Sequence, residues 1–178
     1  MLMGFVWWDY DPEAMPFVET WLDKCAIAAT GLDAGFRDFY EYWAAEEGFA
    51  PGKNYWCKVA VENGIPFAVI ALCLQEGRLT VMELLVAPQM RGQGKGTELL
   101  AQLLGSKDIL GVCAESWEAV IFPDNAASRR AFEKAGFICR SRHKDENGES
   151  LRDVFPADPA VLLSIPCEKL QISGGEEI

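Results

Sequence analysis

The sequence predicts an α/β fold (α+β mixed): a central mixed, mostly antiparallel sheet flanked by helices on both faces. Three observations predict it. Residues 55–86 hold three apolar runs separated by the tight-turn dipeptides Asn63-Gly64 and Glu76-Gly77, the pattern of an antiparallel meander. The third run, Arg78–Val86, leads into a glycine-dense basic turn, Arg91-Gly-Gln-Gly-Lys-Gly96, that opens straight into a helical pattern. A second strand-to-helix unit follows, Trp117–Phe122 and then Asn125–Ala135. Asn125 suits an N-cap, the interior is alanine-rich, and Gly136 suits a C-terminal stop.

The elements are expected in this order. Phe5–Tyr10 reads as a first strand. Asp11-Pro12-Glu13 is a helix start, with the acid as cap and proline in the first turn, and that helix is expected to run to about Cys25 or beyond. Asp33 is a candidate cap for a second helix through Glu47, whose Phe36, Phe39, Tyr40 and Trp43 share one face. The meander strands are Tyr55–Glu62, Pro66–Gln75 and Arg78–Val86. Thr97 to about Ser106 is the helix behind the basic turn, with Leu99, Leu100, Leu103 and Leu104 toward the sheet. Phe137–Arg142 and Leu151–Phe155 form a last hairpin around Asp145–Glu149, and Ala157–Leu170 is an extension without an assigned role.

A length of 178 residues with 50% hydrophobic content suits one domain, taken as residues 1–172, with Ser173–Ile178 as a frayed tail. The charge balance of 16 Lys+Arg and 27 Asp+Glu gives 16 − 27 = −11, which disfavours nucleic acid and anionic membrane surfaces as partners. The longest apolar run, Pro66–Leu74, is too short to span a bilayer. Met1–Asp11 lacks the basic start of a signal peptide, so a cytoplasmic location is expected. The 6 cysteines contain no C-x-x-C pair and read as small buried thiols in a reducing compartment. With a single histidine, His143, and no ligand cluster, no metal site is expected.

The basic turn carries the chemistry. The first N–H groups of a helix have no internal acceptor, so a strand–turn–helix of this kind aims amides at an anion. Glycine lets the backbone approach that anion closely, and Arg91 and Lys95 add positive charge where a diphosphate would sit. The spacing Gly92-x-Gly94-x-Gly96 departs from the dinucleotide fingerprint G-x-G-x-x-G, and no stretch has Walker A spacing. The run Arg91–Gly96 matches Gln/Arg-x-x-Gly-x-Gly/Ala, with Leu84, Val86 and Pro88 as a Leu-x-Val-x-Pro lead-in. Asn125-Ala-Ala-Ser128 followed by Phe132-Glu-Lys-Ala-Gly-Phe137 matches Asn-x-x-Ser/Ala and Glu-Lys-x-Gly-Phe. In these two segments the chain resembles the GNAT acetyltransferase superfamily. The resemblance covers roughly residues 55–155, and the first 54 residues follow it only in element order.

The resemblance implies acetyl-CoA as donor and direct transfer of its acetyl group to an amine. It implies that Arg91, Gly92, Gln93, Gly94, Lys95, Gly96 and Thr97 hold the pyrophosphate. The strand Leu84–Leu85–Val86 would pair with the pantetheine amides, and the N–H of Leu85 or Val86 would polarise the thioester oxygen. Asn125 would reach the cofactor arm while capping its helix. Many members carry a tyrosine as general acid where this chain has Phe132, facing the sulfur. Phenylalanine cannot donate a proton, so water, Ser128 or another group takes that role, or none is needed.

Transfer needs a base, because an amine of pKa ~10 is mostly protonated at neutral pH. Glu83 is the leading candidate: it is a carboxylate on an otherwise apolar strand, expected on the face opposite Met82 and Leu84. An exposed or ion-paired strand residue is the competing reading, and His143 is the other titratable option. Acids and aromatics mix in Trp7–Asp11, Asp38–Trp43 and Glu46-Glu47, which suits an acid-lined aromatic cleft for a small cationic amine of aminoglycoside or polyamine type. A solvated helix face over an aromatic core explains the same residues. A protein α-amine is the runner-up acceptor, and an acyl-CoA-binding module without turnover is the alternative from another class. A monomer or homodimer is expected.

Overall fold

The structure, a computed structural model, describes residues 4–105, 109–139, 141–144 and 151–157, the last two segments by backbone only. Its centre is a sheet of seven strands: β1 (Val6–Asp9), β2 (Tyr55–Glu62), β3 (Ile65–Gln75), β4 (Arg78–Val86), β5 (Ser116–Ile121), β6 (Ser141–Lys144) and β7 (Leu151–Ala157). The order across the sheet is β1-β2-β3-β4-β5-β7-β6. Only β4 and β5 pair in parallel; the other neighbours are antiparallel. The helices are α1 (Lys24–Thr30), α2 (Phe36–Ala45), α3 (Lys95–Gly105) and α4 (Ala126–Lys134). Among the described residues no helix is long and apolar enough to cross a membrane.

The meander forms as its turns dictate. Asn63 and Gly64 take φ of 52° and 76°, and Glu76 and Gly77 take 50° and 77°, the left-handed pairs that let two residues reverse a twisted hairpin. Both sheet faces are covered, so the strands are apolar on both sides. Trp56, Phe67, Ile70, Leu72 and Leu79 pack on one face with Leu99, Leu100 and Leu103 of α3 and Phe132 of α4. Tyr55, Val59, Val69, Ala71 and Leu85 pack on the other with Val18, Trp21, Ala26 of α1 and Phe36 of α2. Each of the fully buried α3 leucines contributes roughly 1.5–3 kcal/mol of burial.

The N-terminal third departs from expectation. No single helix runs from Asp11 to Cys25. Asp11 does cap a turn, accepting from the N–H of Glu13 at 2.9 Å, but that turn ends before Pro16. Proline brings no N–H and pushes Met15 out of helical geometry, to φ −124° and ψ 47°. A 3-10 helix, Pro16–Trp21, intervenes, and α1 starts afresh on Asp23, which accepts from the N–H of Ala26 at 2.8 Å. Nor does Asp33 cap α2. Gly35 stands at that position, and the Glu19 carboxylate reaches across to accept from the N–H groups of Phe36 (3.1 Å) and Arg37 (2.7 Å). A cap supplied from 17 residues away leaves no local signature. The remaining strands and helices fall within a residue or two of expectation except β6, which starts at Ser141 rather than at Phe137. The expected hairpin tip, residues 145–149, and the residues from 158 to 178 lie outside the described residues.

Two irregularities of β4 position the site. Its register with β3 steps between Ala71↔Glu83 and Leu72↔Val81, so Met82 is an inserted bulge residue. Its pairing with β5 ends at Val81↔Ala119, although β4 continues to Val86 and β5 to Ile121. Beyond the bulge the two parallel strands therefore part and leave an opening in the sheet.

Candidate active site

Two cavities meet in that opening. The first, about 470 Å³, is bounded by the end of β4, the loop Arg91–Gly94, the start of α3, the inner face of α4 and one side of α1. The second, about 400 Å³, lies on the α2 side and holds Glu83. Ala29, Thr30, Leu84, Asn125 and Ser128 line both.

The loop end of the first cavity is formed by main chain. Gly92 and Gly94 have φ of 71° and 75°, and a Cβ added at either would meet no other atom within 4 Å. The glycines thus serve the backbone turn and leave open space above it. Gly96 differs: a Cβ there would make an ordinary contact with that of Ala131 at 3.5 Å, where α4 packs on the start of α3. The N–H groups of Lys95, Gly96 and Thr97 form the unpaired first turn of α3. The Thr97 hydroxyl turns to the Ala131 carbonyl at 3.5 Å, and the Gln93 amide turns back to the Gln89 carbonyl at 2.8 Å.

The cations expected to neutralise an anion here are otherwise engaged. Arg91 donates to the carbonyls of Val86 (2.8 Å) and Trp21 (2.6 Å) and pairs with Asp23 at 2.6 Å. It braces the loop against the segment entering α1. Lys95 pairs with Glu62 at 2.9 Å and Glu98 at 3.2 Å, and lies 5.4 Å from the Phe5 ring centre. The Asp23 carboxyl is held below its usual range by the Ala26 N–H and by Arg91. Arg91 and Lys95 still line the cavity, and two further cations not singled out from the sequence line it with them, Arg130 and Lys134 of α4. With Ala127 and Ala131 they form an i, i+3, i+4, i+7 stripe, and that periodicity was readable.

The strand edge over the opening is specific about which amides it offers. The N–H of Ala87 bonds to the Phe67 carbonyl, and Arg91 reaches the Val86 carbonyl from the opposite side. In an antiparallel ladder alternate residues point both polar groups the same way. Leu85 therefore faces β3 through its backbone, while Leu84 and Val86 face the opening. Of the two amides expected to meet a thioester, Val86 stands on the open edge and Leu85 does not. The Leu84 N–H is engaged by the Glu83 carboxylate at 3.1 Å.

Glu83 does not lie opposite both Met82 and Leu84. The bulge breaks the two-residue alternation, so Met82 packs with the α1–α2 face and Leu84 with the α3–α4 face. Glu83, opposite Ala71, points to the α1–α2 side. It is half-buried and borders the cavity, among Leu32, Phe39, Met82 and Phe132. Desolvation pushes its carboxyl up to about 8, against the smaller opposing pull of the Leu84 N–H.

The α4 residues are placed as follows. Asn125 caps α4 by accepting from the Ser128 N–H at 3.1 Å and donates to the Ala29 carbonyl at 3.3 Å, tying α4 to α1. Phe132 is buried, packs edge-on to Phe137 at 5.0 Å between centres, and borders the Glu83 cavity rather than the loop cavity. No tyrosine is among the described residues that line either cavity. Tyr10, Tyr40 and Tyr55 stack together elsewhere, where burial raises the pKa of each phenol. Of the acids in the segments read as a cleft, Asp9 pairs with Lys58 and Glu41 with Arg37, and none is among the described residues that line either cavity. Phe39 alone of those segments reaches the cavity. The side chain of His143 lies outside the described residues.

Residues 6–137 match the model of the acetyltransferase (GNAT) family. No curated protein sequence matches the chain. Solved structures share its fold. An uncharacterized protein from Bacillus halodurans superposes with a TM-score of 0.73 at 13% identity, over 94% of this chain and 90% of that one. The aminoglycoside N(6')-acetyltransferase of Legionella pneumophila gives 0.72 at 15%, over 92% and 97%. A chimera built on a spermidine N-acetyltransferase from Vibrio cholerae gives 0.70 at 13%, over 91% and 99%.

Proposed function

The chain belongs to the acetyltransferase (GNAT) family, and from that premise we propose that it transfers the acetyl group of acetyl-CoA to the primary amine of a small molecule, with Glu83 as the base. The family supplies the donor and the reaction class. The observation that carries the residue assignment is the Glu83 carboxyl, held near neutral pKa in a cavity that opens onto the glycine-loop cavity.

The residues of the loop cavity fit the donor. The amides at the start of α3 suit a pyrophosphate, the space over Gly92 and Gly94 admits it, and Arg130 and Lys134 supply positive charge along the same wall. Arg91 acts as the brace that sets the loop. The Val86 N–H, on the open strand edge, is suited to pair with an amide or carbonyl of the donor.

Acetyl-CoA supplies an activated thioester, so transfer forms one N–C bond and breaks one C–S bond. Glu83 takes the proton that the ammonium must shed before its nitrogen can attack. Its raised pKa matches a base working near neutral pH, because the ionised fraction grows as pH rises toward about 8. The departing thiolate needs a proton that Phe132 cannot give. Ser128, which borders both cavities, or water provides it. The amino group enters from the Glu83 cavity, and the spermidine and aminoglycoside enzymes of like fold keep small cationic amines among the acceptors to test.

Glu83→Gln keeps shape and removes the base. The expected result is a kcat lower by ~10²–10⁴, the usual worth of positioned acid–base catalysis, with CoA affinity by calorimetry nearly unchanged. A kcat within a few-fold of the parent would move the role to water or to another group.

A further inference from the structure

The walls of the Glu83 cavity narrow the acceptor. Among the described residues that line it, Glu83 is the only charged side chain. Leu32 and Phe132 are buried apolar walls, Phe39 and Met82 close the α2 side, and Ile121 and Phe122 close the β5 side. Of the acids of the N-terminal third, Asp9, Glu13 and Glu41 pair with Lys58 and Arg37, and none is among the described residues that line the cavity.

We propose that the acceptor is a monoamine on a short apolar body, aromatic or branched, and that the cavity selects against polyamines and amino sugars. The proposal rests on the reading of Glu83 as the group that receives the amine. One nitrogen is then matched by one carboxylate, and the carbon body replaces water against the six apolar side chains. A second ammonium on the same ligand would be stripped of water beside Phe39 and Met82 without a counter-charge, which is costly. The hydroxyl groups of an amino sugar would lose hydrogen bonds to water there and find few in exchange. Of the polar side chains that also line the cavity, Thr30 and Asn125 already donate to the Ala26 and Ala29 carbonyls, leaving Ser128. At about 400 Å³ the cavity lies toward the small end of ligand sites, ~300–1,000 Å³.

The test compares kcat/KM at saturating acetyl-CoA for 2-phenylethylamine, isopentylamine, putrescine, spermidine and kanamycin, using the full chain. The two monoamines are expected to exceed the other three by at least roughly tenfold, with the difference mainly in KM. Equal or better turnover of spermidine or kanamycin would overturn the proposal and leave the base assignment standing. Acetylation of none of the five, with acetyl-CoA still bound by calorimetry, would overturn the base assignment, and the proposal with it. Phe39→Asp adds a second carboxylate to the α2 wall. Provided its acetyl-CoA affinity matches the parent, the ratio of putrescine to isopentylamine turnover is expected to rise about tenfold. An unchanged ratio would remove Phe39 from the acceptor wall and overturn the proposal.

Discussion

The loop cavity and the Glu83 cavity share Leu84, Asn125 and Ser128, yet the chain makes them from different materials. The first is shaped by backbone: glycines at positive φ, the unpaired amides of one helix start and one open strand edge. The second is shaped by side chains brought from α1, α2, β4, β5 and α4. A backbone site recognises what all donors of a class share, such as a diphosphate. A side-chain site can change with every substitution, so acceptor choice is free to vary while donor binding stays fixed. Substitutions in the two cavities are therefore expected to separate, with donor affinity moving in one and acceptor turnover in the other.

The largest effect expected on the donor side comes from Gly94→Val. A branched side chain at φ 75° is strained, and relaxing it swings the neighbouring amides. Each hydrogen bond to a charged group is worth ~1.5–3 kcal/mol, so losing one should weaken CoA binding by roughly 10- to 150-fold. Calorimetry checks this, and unchanged affinity would dissolve the distinction between the cavities.

A smaller effect is expected from Asp23→Asn. Asparagine can still cap α1 but no longer pairs with Arg91. If Arg91 is a brace, CoA affinity falls a few-fold as the loop loosens. Tighter binding in this variant would show that Arg91 is a phosphate ligand held back by Asp23.

The same contrast explains what was legible in the sequence. The loop, its helix and the Asn125 cap are contiguous, and local rules read them directly. The meander was equally plain, because its turns are two-residue pairs. Contiguity also explains what the sequence could not show of Arg91 and Lys95: both line the loop cavity, but their partners Asp23, Trp21 and Glu62 lie 33 to 70 residues away. The Glu83 cavity was legible only at Glu83 itself, as a carboxylate out of place in an apolar strand. Its facing depended on the bulge at Met82, which shifts the alternation without any glycine or proline to announce it. The apolar character of its walls depended on Pro16 breaking the first helix and on Glu19 capping α2, both of which reposition the N-terminal third.

The smallest effect is expected from Phe132→Tyr. The ring is buried against Phe137 and borders the acceptor side, so the added hydroxyl is not directed at the loop cavity. CoA affinity should hold and kcat should change by less than about threefold, since proton transfer from a misplaced donor contributes little. A clear rise in kcat, with a new limb in the pH profile, would place the residue at the leaving thiolate and join the two cavities more closely than described.

The assignment of Glu83 is tested most directly by its own titration. Carbon-13 NMR of the Glu83 carboxyl in the ligand-free protein, identified by its loss in Glu83→Gln, reads the proton on the side chain without any substrate. The account predicts a midpoint near 8, with the carboxylate form gaining over the acid as pH rises through that value. A midpoint near the ordinary 4.5 would show a solvated carboxylate, and would contradict both the desolvation of Glu83 and the base built on it.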